Sequence, residues 1–239
     1  MRICFNQPNF IPWGGFYSRL LHSDRMILLD DTLLARGFTY LNRNRIKGPV
    51  GEVWITVPLQ RKGRGRQIIK DLEIYQKTRW AKDFLLTLHH FYAKSLYYDQ
   101  LFTEIKEAIE TEDDRFTPMA TALLAVGKKN LAIDAEFILQ SDIGITGKGP
   151  HLLVSLVKEL GAKEVLMPYF SRKVVDWTPF LKEGIRIHFL RYDPPQHPQF
   201  WGSFLKKLSV LDLVFCCGPE GRRLVEKGSY LYDGKKLLE

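Results

Sequence analysis

The chain opens with short apolar runs broken by polar turns. Ile3-Cys4-Phe5 is apolar and turns polar at Asn6, which reads as a short buried strand over 2–5. Pro8 and Pro12 keep the next stretch extended or turning. Across 14–22, Phe16, Leu20 and Leu21 fall on one helical face, and Met26-Ile27-Leu28-Leu29 reads as a second strand ending at Asp30-Asp31. Strand, loop, helix and strand in that order predict a parallel α/β start.

Further strands are predicted at 53–59, where the sequence reads Val-Trp-Ile-Thr-Val-Pro-Leu, and in strand-like material at Ile68-Ile69 and Leu72 to Ile74. From Thr78 to about Asn130 the pattern is helical, three helices long, with Pro118 suited to a first helical turn. Alternation then returns. Strands are expected at Phe137-Ile138-Leu139, Val165-Leu166 and Ile185 to Leu190, and helices at 150–160, ended by Gly161, and from Ser209 to Phe215. The predicted fold is one α/β domain over 1–239, a Rossmann-like and mostly parallel sheet with a helical insertion at 78–131.

Composition changes this picture little. Of 239 residues, 45% are hydrophobic and 26% charged, as in globular chains. The net charge of +8 matters more, because it favours anionic partners: nucleic acid, phosphorylated metabolites or an acidic membrane surface. The three cysteines, Cys4, Cys216 and Cys217, lack any metal-binding spacing and make no disulfide framework, which fits a reducing compartment. The first apolar run is too short for a signal peptide, and no stretch reaches the ~18 apolar residues of a membrane span. A cytoplasmic location is expected.

Chemistry is expected first in the loop after the first strand. Ligands of open α/β sheets bind beyond the carboxyl ends of strands. A helix start there offers free N–H groups to an anion. Gly14 and Gly15 would admit a phosphate close to the backbone, Gln7 and Asn9 supply amides, and Trp13 adds a ring. The alternative is a Pro-rich turn capping a helix. GxGxxG is absent, so no dinucleotide site is expected. Asp30 and Asp31 are candidate catalytic carboxylates that could also hold Mg²⁺, or else a solvated strand terminus. In extended Asn42-Arg43-Asn44-Arg45-Ile46-Lys47, Arg43 and Arg45 share a face opposite Asn42 and Asn44. Arg43, Arg45 and Lys47 are candidates to grip phosphate or carboxylate, against a plain basic loop.

The remaining motifs carry less. The basic loop 61–66 has no interleaved aromatics and reads as a hairpin tip. Thr146-Gly147-Lys148-Gly149 fails the Walker pattern, with Asp142 at the first glycine position and Gly149 in place of Ser or Thr. His89 and His90 sit mid-helix and cannot both face one ligand. His197 and Gln199 lie in a loop from which they could reach a substrate. Ser209 with Asp212 reads as a helix-capping pair. Cys216 and Cys217 read as buried packing rather than nucleophiles.

These residues resemble the WbqC-like protein family. The resemblance is carried by Gln7-Pro8-Asn9-Phe10-Ile11-Pro12-Trp13 with Gly15-Phe16, by Asp30-Asp31, by Asn42 to Lys47 and by Thr56-Val57-Pro58-Leu59. It continues through Gly161-Ala162, Gly184-Ile185, Pro198-Gln199, Leu208 to Leu213 and Cys217-Gly218. The family usually has His before Gln-Pro, and this chain has Asn6; Leu166-Met167-Pro168-Tyr169 stands where relatives tend to have a Gly-containing turn. The resemblance implies a role in O-antigen or related surface-polysaccharide synthesis, and a glycine or other aminoacyl transfer to an amino sugar. The opening is also distantly similar to nucleotidylyltransferases and adenylate-forming ligases, but it lacks their His-x-Gly-His. The expected function is acyl or aminoacyl transfer to a nucleotide-activated amino sugar, with an anionic small molecule as partner. In that scheme Asp30 or Asp31 deprotonates the amine, and Gln7 and Asn9 orient the substrate. The alternative is a non-catalytic basic module for nucleic acid or a glycan-assembly partner.

Overall fold

The computed structural model describes residues 1–35, 37, 39–111 and 113–238. In chain order it contains β1 (Arg2–Asn6), α1 (Gly14–Leu21), β2 (Arg25–Leu28), β3 (Arg43–Gly48), β4 (Gly51–Thr56), α2 (Lys77–Tyr92), α3 (Tyr98–Ile109) and α4 (Phe116–Asn130). Then follow β5 (Glu136–Leu139), α5 (Gln140–Ile143), α6 (Gly149–Glu159), β6 (Glu164–Pro168), α7 (Thr178–Lys182) and β7 (Arg186–Tyr192). The chain closes with α8 (Val210–Cys217), α9 (Glu220–Lys227), β8 (Ser229–Asp233) and α10 (Lys235–Leu238).

The central sheet has the order β5-β2-β1-β6-β7-β8. All its pairings are parallel except that of β7 with β8. The Rossmann-like, mostly parallel sheet is therefore present. From β1 the chain builds outward through β2 to β5, then crosses back to β6 and β7. Strand order thus reverses between β1 and β6, the switch point at which such sheets open a crevice.

Strand alternation sorts the core into two layers. Cys4, Met26, Leu28 and Leu166 face the cluster that includes α1, α8 and the helices α2–α4. Their neighbours Ile3, Phe5, Ile27, Val165 and Met167 face the opposite cluster with α6 and α7. Burial on both faces explains why β1, β2 and β6 read as continuous apolar runs. The three helices expected from 78 to 130 are present, and Pro118 lies in the first turn of α4; Glu112, between α3 and α4, lies outside the described residues.

Two expectations differ from the structure. The apolar residues at 68–74 form a 3₁₀ turn, Ile69–Asp71, with single bridges at Ile68, Glu73 and Ile74 rather than a strand. Their backbone groups bond to scattered partners, as when Lys70 N donates to Asp30 O at 2.8 Å. The expected strand 53–59 runs from Gly51 and stops at Thr56, two residues before Pro58. The antiparallel edge strand β8 has no counterpart in the sequence reading. Its burial pattern is mostly exposed, so it lacks an apolar run to reveal it.

At the amino ends of the strands, Glu164 accepts from Arg2 Nε at 3.0 Å and Nη2 at 2.9 Å and also pairs with Arg186. Burial works to raise the Glu164 carboxyl, but the Arg2 hydrogen bonds and the two cationic charges outweigh it and hold the group below its ordinary range. A depressed carboxylate stabilises the fold above its unfolded pKa of about 4.3, and that contribution fades as pH falls through the lower folded value. In urea melts Glu164→Gln is expected to cost up to about 1 kcal/mol at pH 7 and much less near pH 3. An equal cost at both pH values would contradict this.

Candidate functional site

The segment after β1 is buried without being regular. Phe10 and Ile11 are inaccessible, so their backbone polar groups need partners. Phe10 N donates to Leu41 O at 2.6 Å, and Val210 N donates to Pro12 O at 2.8 Å. Asn44 Nδ2 donates to Ile11 O at 2.8 Å. Ile11 has φ 36°, in the left-handed region that a β-branched residue rarely occupies. Such strain costs about 1–3 kcal/mol and persists only where the surroundings enforce it. The hairpin β3–β4 and the start of α8 enforce it here.

Trp13 then starts α1, in which every residue from Gly14 to Leu20 is buried. A Cβ at Gly14 would lie 2.7 Å from Tyr192 Oη, and one at Gly15 would lie 2.5 Å from the Trp13 indole. The room expected there for a phosphate is therefore filled by two aromatic rings. Trp13 and Tyr192 themselves meet edge to face, with centroids 5.3 Å apart.

Beyond the carboxyl ends of β1, β6 and β7 lies a cleft of about 650 Å³. That volume is within the roughly 300–1,000 Å³ of small-molecule sites. Asn6, Trp13, Arg19, Tyr169 and Tyr192 contribute to its walls, as do Tyr40, Arg45, Phe170, Arg191 and Lys207. A larger groove of about 1010 Å³ between α2 and α3 has an apolar floor of Ala81, Leu85 and Phe102. The Lys77 ammonium there is spent on the Thr111 and Asp113 carbonyls.

Of the cations that line the cleft, Arg19 is the buried one. It is only 8% exposed. Its Nη2 donates to Asn6 Oδ1 at 2.6 Å and its Nη1 to Gly15 O at 3.4 Å. Its Nε has no partner among the described residues, and no described carboxylate forms an ion pair with it. Burial pulls the guanidinium below its ordinary pKa. A buried cation without a counter-charge is costly unless an anion joins it.

The sequence candidates separate into several groups. Asn9, Trp13, Gly15, Asn44 and Arg45 line the cleft. Gln7, Gly14, Asn42, Arg43 and Lys47 do not. Arg43 and Arg45 share one face as expected, lying over the Trp54 ring at 4.6 and 5.5 Å. Arg45 also pairs with Glu52 at 2.6 Å. The opposite face turns inward: Asn42 Nδ2 donates to Val57 O at 2.7 Å, and Asn44 holds Ile11. Lys47 is buried, its ammonium bonded to Gln199 Oε1 at 3.1 Å, to Gly202 O at 3.3 Å and to Ser203 O. It braces the 199–203 loop instead of facing the cleft.

Asp30 and Asp31 stand apart as well. Both oxygens of Asp30 are used by Ser141, from N at 3.0 Å and from Oγ at 2.6 Å, which ties the end of β2 to the start of α5. Asp31 pairs with Lys70 at 2.8 Å. Among the described residues no cluster of three or more His, Cys, Asp or Glu side chains could hold a metal ion, and none of these residue types lines the cleft. His197 and Gln199 sit behind the Trp13–Tyr192 wall, in a smaller cavity with Asp212.

Other motifs resolve simply. Ser209 caps α8 by accepting from Leu211 N at 3.2 Å. Asp212 is not its capping partner; it accepts from Tyr92 Oη at 3.0 Å and Gln199 Nε2 at 2.7 Å. Burial pushes the Cys216 thiol up to about 12 and the Cys217 thiol up to about 11, which keeps both protonated and unreactive. The 61–66 loop is exposed, closed at its base by the Leu59–Ile74 bridge, and Arg64 pairs with Glu73.

Residues 7–224 match the WbqC-like protein family. The chain belongs to that family. It is 29% identical over 221 residues to the uncharacterized protein Rv1507c of Mycobacterium tuberculosis, across 92% of this chain and 95% of the relative. No solved structure matches. No helix among the described residues is long and apolar enough to cross a membrane.

Arg19, Tyr169, Arg191, Tyr192 and Lys207 were not among the sequence candidates. Arg19 had one usable signal: it stands four residues after Gly15, in a helix whose other positions are apolar, small or aromatic apart from Ser18. Asn44→Ala removes the donor that holds Ile11 O, and is expected to cost about 1–3 kcal/mol in urea denaturation. A loss below about 0.5 kcal/mol would show that the strained turn needs no such anchor.

Proposed function

We propose that this WbqC-family chain is a transferase that binds a nucleotide-activated amino sugar in the switch-point cleft and transfers an acyl or aminoacyl group to its amine, in surface-polysaccharide synthesis. The observation that carries the ligand class is Arg19, a buried guanidinium with no described carboxylate partner, lining the cleft at the carboxyl end of β1. A diphosphate in the cleft supplies the missing charge. Arg45, Arg191 and Lys207 add positive potential around it, which suits two phosphates better than a lone carboxylate. Aromatic rings at Tyr40, Tyr169 and Phe170 offer faces for a base or a sugar.

The acyl-transfer part of the reading rests on the family resemblance, not on the cleft. A cleft of this volume lined by several cations favours a small anionic ligand over a nucleic-acid backbone, which is better met by an extended basic stripe. Neither Asp30 nor Asp31 is assigned the proton-accepting role, since Ser141 and Lys70 engage them away from the cleft.

A substitution separates function from stability. Arg19→Met removes a buried charge while keeping most of the apolar bulk. The expected result is a thermal midpoint equal to or above the wild type without ligand, because an uncompensated cation is gone. The midpoint rise that a UDP-amino sugar gives the wild type is expected to vanish, since one charge-assisted contact of about 1.5–3 kcal/mol is lost. An unchanged ligand-induced rise in Arg19→Met would refute the assignment.

A further inference from the structure

Three surface loops meet at the carboxyl end of α2, and each carries an exposed apolar side chain. Trp201 Nε1 donates to Phe91 O, in the last turn of α2, at 3.0 Å. A Cβ at Gly48 would lie 2.7 Å from the Phe91 ring, so the β3–β4 turn sits against the same residue. The segment 93–97 continues directly from α2, and Ser95 Oγ fastens it by donating to Phe215 O. Lys47 holds the third loop through the Gly202 and Ser203 carbonyls. Phe200 in that loop packs on Tyr92, with ring centroids 6.2 Å apart. The bases of the three loops are therefore fixed around one helix end.

Their tips are in water. Val50 is 94% exposed, Leu96 95% and Trp201 37%. A single exposed apolar side chain needs no explanation. Here three stand on neighbouring loops, and no packing requires Val50 or Leu96 to be apolar. Trp201 has φ 66°, in the left-handed region that strains an aromatic residue, and its bond to Phe91 helps to hold it there.

Charge selects the partner. The segments 48–51, 93–97 and 199–207 contain no Asp or Glu, but they carry Lys94, Lys206 and Lys207, all exposed. Two acids that reach these loops are engaged: Glu52 pairs with Arg45 at 2.6 Å and Asp193 with Lys206 at 3.3 Å. Asp99 follows in the first turn of α3. A second copy of the chain docked on this corner would set lysine against lysine. A rigid protein would need a pit for each protruding tip. A lipid interface receives separate tips without such a fit, and it favours tryptophan and lysine at its boundary.

We propose that this corner docks on an anionic membrane surface, with Val50, Leu96 and Trp201 entering the headgroup region and Lys94, Lys206 and Lys207 meeting the lipid phosphates. Lys207 also lines the cleft, so docking brings the cleft beside the bilayer. The docking stands on the loops and does not depend on what the cleft binds.

Co-sedimentation of the full chain with vesicles tests this. The chain is expected to pellet with vesicles of phosphatidylcholine and phosphatidylglycerol in equal parts, and to stay mostly in the supernatant with phosphatidylcholine alone. The double variant Val50→Ser/Leu96→Ser is expected to bind the anionic vesicles about tenfold more weakly or worse. Its thermal midpoint is expected to match the wild type, because both side chains lie outside the core. Tryptophan emission is expected to move to shorter wavelength on adding the anionic vesicles, and this shift is expected to be lost in Trp201→Phe. No pelleting with either vesicle, equal pelleting with both, or binding undiminished in the double variant would overturn the proposal. An emission shift unchanged in Trp201→Phe would also overturn it.

Discussion

The buried, irregular backbone of residues 9–12 constrains everything around it. An irregular segment out of contact with water must find a partner for each peptide group. Here the partners come from three distant places: Leu41 O for Phe10 N, Asn44 Nδ2 for Ile11 O, and Val210 N for Pro12 O. The β3–β4 hairpin and the start of α8 are thereby fixed against the first loop. Ile11 is held in a left-handed conformation that an isolated chain would avoid. From that anchor Trp13 begins α1, and α1 carries Arg19 to the point where strand order reverses.

The site is therefore a consequence of topology and packing together. Parallel strands bring the ends of β1, β6 and β7 to one edge. Gly14 and Gly15 let Tyr192 and Trp13 close over the helix start, which divides the space into a cleft and a smaller cavity. The cleft holds cations and aromatics, and the cavity holds the imidazole and the carboxylate.

Much of the fold was legible because it rests on local periodicity. Apolar runs marked β1, β2 and β6, helical spacing marked α2 to α4, and the alternation of Asn42 to Arg45 gave the correct pairing of faces. Alternation does not say which face turns inward. The asparagines went inside because their amides satisfy the Val57 and Ile11 carbonyls, and the arginines lie over Trp54. Lys47 reads as an anion ligand until its three acceptors, more than 150 residues away, are in place. Tyr192 fills the space beside Gly14 from the far half of the chain, and no local pattern announces that contact. Arg19 was overlooked because a helical arginine ordinarily points to water.

A crystal structure of the chain with a UDP-amino sugar tests the central claim most directly. A diphosphate within hydrogen-bonding distance of the Arg19 guanidinium, beyond the ends of β1 and β6, is the expected result. A diphosphate bound elsewhere, with Arg19 still facing only Asn6 and Gly15, would contradict it.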